Sequence, residues 1–174
     1  MTTETAIPGA ISRVIEIGSL GHAQAGHVLE PTETELAAIA QRLDIPALKY
    51  LRGEFMVTPT RAGVDIVLKL SAEAERICVA SLEPLIEAVR EEIRMAFDRN
   101  YVDDGTVDFA AGDTLHEPLT GDQIDIGELL VQHLSLSLAP FPRKPGAESL
   151  AEKYRDAALS SPFSTLKGIV DRET

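Results

Sequence analysis

Ala47–Ala72, ALKYLRGEFMVTPTRAGVDIVLKLSA, is the stretch that decides the fold. Val64, Ile66, Leu68 and Leu70 alternate with Asp65, Val67, Lys69 and Ser71. Successive side chains of a strand point to opposite faces, so one face is apolar and the other mostly polar. That is the pattern of an antiparallel sheet packed on one side. Ala47–Thr58 forms the preceding strand, and the turn between them contains Pro59, Arg61 and Gly63. Ile77–Ala80 extends or follows the second strand.

Upstream, Thr32 and Glu35 have the spacing of a capping box after Pro31, and Leu36, Ile39, Ala40 and Leu43 continue as a helical stripe. This predicts a helix over 32–44, ending near Asp44 because Pro46 biases Ile45 away from helical angles. Further back, Ser12–Ile17 has the β-branched content of a short strand. Gly18–Glu30, with Gly18, Gly21 and Gly26, reads as loop. Downstream, Leu82, Leu85, Ile86, Val89, Ile93, Ala96 and Phe97 fit a helix, while Ile93, Met95 and Phe97 alternate like a strand. Periodicity alone favours the helix. Asp98–Gly121 reads as loop with one short strand near Val107–Phe109.

Gly121–Gly146, GDQIDIGELLVQHLSLSLAPFPRKPG, holds the second helix. Asp125 is a good N-cap, with Glu128 at capping-box spacing. Ile126, Leu129, Leu130, His133, Leu134 and Leu138 share one face. Pro140 and Pro142 end the helix, and Arg143 and Lys144 follow. Leu129, Leu130 and Leu134 are therefore candidates for a docking face. A short polar helix is expected over Glu148–Leu159, followed by a tail from Ser161.

The chain has 174 residues, 44% of them apolar, enough for one domain over 1–174 with a real core. That core should span about 10–142, with a C-terminal helix and tail over 143–174. No apolar run approaches the roughly 20 residues that span a bilayer. The start, MTTETAIPGA, lacks the basic and apolar regions of a secretory signal. A cytoplasmic location and no membrane partner are the expectations. Cys78 is the one cysteine, so no intramolecular disulfide forms. The net charge of −12 argues against general affinity for bare phosphate backbones, DNA included. Residues 1–137 carry 10 Lys/Arg against 23 Asp/Glu, whereas residues 138–174 carry 6 against 5. Any nucleic-acid contact is thus expected in the C-terminal segment.

Three stretches together resemble the YceD family, named for large ribosomal RNA subunit accumulation. Cys78-Val-Ala-Ser81-Leu82-Glu83-Pro84 is similar to its C-x-R-C-L-x-P turn. Gly121-Asp122-Gln123-Ile124-Asp125-Ile126-Gly127-Glu128-Leu129 is similar to its DGD-x-IDLGEL helix start, and Leu134–Pro142 stands in place of its LxLxP ending. Pro162-Phe163-Ser164-Thr165-Leu166-Lys167 resembles its PFAxLxxL close. The likeness covers roughly residues 10–170 in order. It implies a strand over Leu85–Phe97, which we adopt over the helix, and a role in accumulation or processing of large-subunit ribosomal RNA by binding. Many members carry two cysteine pairs. Here Ser81 replaces the second cysteine of the first pair, and no cysteine follows Phe141. A structural zinc site needs about four N/S ligands, so that site cannot form in one chain.

The fold expected is α+β: an antiparallel sheet, open or barrel-like, with two packing helices and a peripheral C-terminal helix. Arg143, Lys144, Lys153, Arg155 and Lys167, with Phe141, Tyr154 and Phe163 interleaved, form the one basic and aromatic group suited to RNA or a ribonucleoprotein. Ribosomal RNA or a large-subunit ribosomal protein is the expected partner. Cys78, between Ile77 and Val79, reads as buried packing. His22 and His27 lie five apart in a loop without a cysteine nearby, and His133 reads as a core or interface histidine. Asp103, Asp104, Asp108 and Asp113 do not match a calcium-loop spacing. No G-x-S-x-G, P-loop or G-x-G-x-x-G occurs. No enzyme activity and no cofactor are expected. The rival readings are a protein–protein adaptor without RNA contact and, behind it, a metal-dependent enzyme using the Asp-rich loop.

Overall fold

The computed structural model describes residues 11–21, 23–102 and 114–147. In chain order these form β1 (Val14–Glu16), a 3-10 turn (Ile17–Leu20), β2 (Ala25–Leu29), α1 (Glu33–Arg42), β3 (Ala47–Pro59), β4 (Gly63–Ile77), β5 (Pro84–Asp98), β6 (Leu115–Pro118), β7 (Gln123–Asp125) and α2 (Ile126–Ser137). The chain divides into two compact units. Of the described residues, those up to Arg76 belong with those of 86–140 to the larger unit, and Ile77–Leu85 with 141–147 to the smaller.

The architecture is α+β, with a five-stranded sheet of order β2-β3-β4-β5-β6 and a separate β1-β7 pair. β2 pairs antiparallel with β3, and β3 with β4, while β6 runs parallel to β5. The sheet is not a barrel. Closure would require β2 to pair with β6, and both remain edges of an open sheet.

The alternation read from Val64–Ala72 governs the sheet. Val64, Ile66, Leu68 and Leu70 are buried on the core face, joined by Leu51, Phe55 and Val57 of β3. Ile39 and Ala40 of α1 and Ile126, Leu129, Leu130, Val131 and Leu134 of α2 complete the same core. α1 begins as expected: the Thr32 hydroxyl accepts from the Glu35 N–H, and the Glu35 carboxylate accepts from the Thr32 N–H. It ends by a mechanism the proline argument missed. Asp44 takes φ +53°, with its N–H bonded to the Gln41 carbonyl and the Ile45 N–H to the Ala40 carbonyl. That is a left-handed helix stop that satisfies two otherwise orphan carbonyls.

Leu85–Phe97 is strand, part of β5, as the resemblance implied and against the helical periodicity. Three strands were not foreseen: β2, β6 and β7, the last a three-residue partner of β1. Gly18–Glu30 is not all loop: β2 occupies Ala25–Leu29, an edge strand burying only Leu29, too little to leave a period-2 signature. β6 likewise buries none of its four residues fully. The strand expected near Val107–Phe109 and the helix expected over Glu148–Leu159 lie outside the described residues.

α2 is capped by Asp125, whose Oδ1 accepts from the Gly127 and Glu128 N–H groups at 2.9 and 3.1 Å. The box is half made. The Glu128 carboxylate accepts instead from Arg42 Nη1 at 2.6 Å, tying α2 to the end of α1. This guanidinium holds the Glu128 carboxyl below its ordinary value, against the opposing push of burial.

His133 lies buried on α2 with Nε2 3.1 Å from Met95 Sδ. Burial pushes its pKa below the usual 6.5, against weaker upward pulls from Glu117 and Glu91. An unfolded chain then takes up a proton that the folded chain refuses. This contribution to stability is complete above about 6.5 and is lost as pH falls through that value. Thermal melts between pH 7.5 and 5.5 should show a smaller loss of Tm for His133→Leu than for the unaltered protein. Equal slopes would mean that His133 does not resist protonation.

Gly63 opens β4 against the end of β5. A Cβ there would fall 1.9 Å from the Phe97 carbonyl oxygen and 2.9 Å from its carbon, so only glycine fits without separating the strands. Gly63→Ala should cost roughly 3 kcal/mol, the top of the usual overpacking range, as measured by urea unfolding. A cost within error of zero would show that the backbones separate freely.

Candidate binding surface

The residues singled out from sequence divide sharply. Leu129, Leu130 and Leu134 are not a docking face. All three are buried, Leu130 and Leu134 completely, because α2 presents them to the sheet. Leu130 sits over Gly53 of β3, where an added Cβ would come within 2.7 Å of its Cδ1. Of the basic and aromatic group, Phe141, Arg143 and Lys144 are described. Lys153, Arg155, Lys167, Tyr154 and Phe163 lie outside the described residues, as do His22 and the four loop aspartates.

The three described members belong to the smaller unit, where two segments 66 residues apart in sequence are joined at Cys78. The turn after β4 closes on itself: the Cys78 N–H donates to the Glu83 carbonyl and the Leu82 N–H to the Cys78 carbonyl, both at 2.9 Å. The Val79 N–H then donates to the Pro142 carbonyl, also at 2.9 Å. Cys78 Sγ accepts from the Ser81 and Lys144 N–H groups at 3.4 Å each. Lys144 Nζ reaches Glu83 at 2.8 Å.

Cys78 is fully buried, as the sequence suggested, but it is more than packing. Its sulfur accepts from the Lys144 N–H and so joins the Val79–Pro142 and Lys144–Glu83 contacts in holding the 141–147 segment to the turn. The Ser81 Oγ is buried and lacks a partner of standard geometry. The Ser81 hydroxyl beside the sulfur is the largest influence on it. With the Lys144, Ser81 and Ala80 N–H groups it lowers the thiol to about 6, although burial pushes the other way. Fixed donors aimed at sulfur favour thiolate, the physical basis of any low-pKa cysteine.

Around this anchor the side chains face outward. Phe141 is 75% exposed and Leu82 is 65% exposed, and Ile77, Val79 and Arg143 are also exposed. Leu82 holds φ +60°, a conformation that costs a non-glycine residue about 1–3 kcal/mol and survives where the surroundings impose it. Val79 and Leu82 were not among the residues picked from sequence. An apolar residue on either side of a cysteine turn signals nothing until the turn is known to point it outward. Lys144, in contrast, already has Glu83 as a partner, so less of its charge is available to a ligand.

For metal chemistry, the described residues contain no group of three or more His, Cys, Asp or Glu side chains that could share an ion. His27 lies on β2, its Nε2 buried without a hydrogen-bond partner.

The single cysteine makes its ionisation directly readable. Ultraviolet absorbance at 240 nm should rise with a midpoint near pH 6, and Ser81→Ala should move that midpoint upward. A thiol titrating in its ordinary range would mean that the donors do not converge on sulfur. The sign for stability follows: a thiol depressed in the folded state favours folding above its ordinary pKa, and that benefit fades as pH falls toward 6. Comparison with protein-family models, with curated proteins and with solved structures finds no match to this chain.

Proposed function

We propose that the protein is a non-enzymatic binding factor in the accumulation or processing of large-subunit ribosomal RNA and in ribosome assembly. The reading rests on the YceD-like turn, helix start and proline-rich ending. The observation that carries it is the exposure of Phe141 and Arg143 on a segment fixed by Cys78. An aromatic ring and a guanidinium on a fixed backbone suit stacking on an unpaired base beside a phosphate. The acidity of residues 1–137 suits a basic ribosomal protein rather than duplex nucleic acid. On this reading the protein works in the cytoplasm. No helix among the described residues is long and apolar enough to cross a membrane.

A second reading, a protein–protein adaptor without RNA contact, draws on the apolar character of Val79, Leu82 and Phe141, all exposed in the same unit. Exposed apolar residues grouped in this way are the ordinary mark of a protein-binding face.

Pull-down from cell lysate with and without RNase separates the two. The ribosomal reading expects large-subunit RNA or protein to co-purify. Phe141→Ala should reduce recovery about tenfold, the loss of one stacked base at 1–3 kcal/mol. Arg143→Ala should lower the salt dependence by about one phosphate contact. Recovery of a protein partner unaffected by RNase and by Arg143→Ala favours the adaptor. If no ribosomal component co-purifies in either condition, the ribosomal role is wrong.

A further inference from the structure

β5 runs for fifteen residues, yet β6 pairs with only its last four, Met95–Asp98. β4 lies along its other side. Among the described residues no strand flanks Ile86–Arg94 on the outer edge. An unpaired edge of that length offers a row of N–H and C=O groups to another strand. Its charges, Glu87, Arg90, Glu91, Glu92 and Arg94, discourage indiscriminate pairing and make the register of any partner decisive.

We propose that this edge pairs antiparallel with the same edge of a second copy of the chain, about a two-fold axis at Glu91. In β5 the even-numbered residues from Pro84 to Arg94 face solvent, and Val89, Ile93 and Met95 face the core side. Directly opposed residues must share a face, so the axis can sit only on a residue. Placed at Glu91, it sets Arg90 opposite Glu92 of the partner subunit, and the symmetry repeats that contact. On the other face it sets Val89 opposite Ile93 of the partner subunit, again twice. The paired stretch is 88–94, stopping where β6 begins.

The other frames centred between 89 and 93 fail on charge or space, and none centred earlier sets an arginine opposite a glutamate within 86–94. An axis at Arg90 opposes Arg90 to itself. An axis at Glu92 opposes Arg90 to Arg94 of the partner subunit and Glu92 to itself. An axis at Val89 brings Glu87 against Glu91 of the partner subunit and leaves the arginines unmatched. An axis at Ile93 needs the edge of Met95, which β6 already occupies. The Glu91 frame has one unfavourable contact, Glu91 against its own copy. Its Oε2 accepts from Ser137 Oγ at 2.7 Å, which spreads that charge. Arg90 is exposed and has no ion pair among the described residues. Glu92 is engaged only at the surface, by Arg94 at 3.0 Å, a contact that exchanges at little cost.

Sedimentation equilibrium of the full chain tests this. The unaltered protein should dimerise. Arg90→Glu and Glu92→Arg should each weaken the dimer about tenfold or more, because each reverses two symmetric contacts. The double variant should restore it to within about threefold, since the opposed pairs are then exchanged rather than broken. Glu91→Gln should tighten it severalfold by removing the repulsion on the axis. These are surface positions, and circular dichroism checks that each variant folds. A protein that stays monomeric to about 100 µM overturns the proposal, being too weak for a specific interface. A dimer indifferent to Arg90→Glu and Glu92→Arg also overturns it, since its interface must then lie elsewhere.

Discussion

The larger unit depends on where four hydrogen-bond donors converge: the carboxylate of Asp125. Oδ1 accepts from the N–H groups of Gly127, Glu128 and Arg13, and Oδ2 accepts from the Ser12 hydroxyl at 2.6 Å. Burial pushes this carboxyl up, but the Ser12 hydroxyl and the three N–H donors outweigh it and hold it below its ordinary value. Hydrogen bonds to an ionised acceptor are the strong ones, so one side chain starts α2 and fixes the chain entering β1. Arg13 carries the linkage on, reaching Glu35 of α1 at 2.7 Å. Gly127 is part of the same constraint. A Cβ there would come within 3.0 Å of the Ile11 carbonyl oxygen and the Arg13 nitrogen.

That constraint explains why α2 is a core element rather than a docking one. Its start is tied to β1 through Asp125 and to α1 through Glu128 and Arg42. Its far end is held by Glu87, which accepts from the Ala139 N–H at 2.7 Å and from Arg76 at 3.1 Å. A helix fixed at both ends over an apolar sheet buries Leu129, Leu130 and Leu134, while Leu136 on its far side stays exposed. On the proposed reading, recognition then falls to residues that the fold leaves exposed. In the smaller unit these are carried on a turn and a proline-bounded segment joined through a sulfur. N–H···S bonds are long, but donors converging on one buried sulfur that they hold toward thiolate fix a backbone as a cap fixes a helix end.

What was legible in sequence was local. The hairpin followed from alternation, α1 from Thr32 and Glu35, and the start of α2 from Asp125. What was not legible needed partners distant in the chain. Glu128 stands three residues after Asp125 as a capping box requires, yet Arg42 takes its carboxylate. Leu129, Leu130 and Leu134 form an apolar face in either reading, and only the sheet beneath them decides that they are core. Of the candidate surface, Phe141, Arg143 and Lys144 were readable as a group. Their attachment to Cys78, and the outward set of Leu82, follow from a contact spanning 66 residues.

β5 shows best why composition misleads. Its period-2 pattern is broken on the inward side by Glu87 and Glu91, which is why a helix fits the sequence at least as well. Both carboxylates are satisfied by tertiary donors: Glu87 by Arg76 and the Ala139 N–H, Glu91 by Ser137. Glu87 is half-buried, where a carboxylate is tolerable only with such partners, whereas Glu91 stays exposed. The charges that obscure the strand in sequence therefore belong to its function as a strand. Inward they anchor the end of α2. Outward they leave an exposed edge that rejects most partners and admits only one whose charges fall in the complementary register.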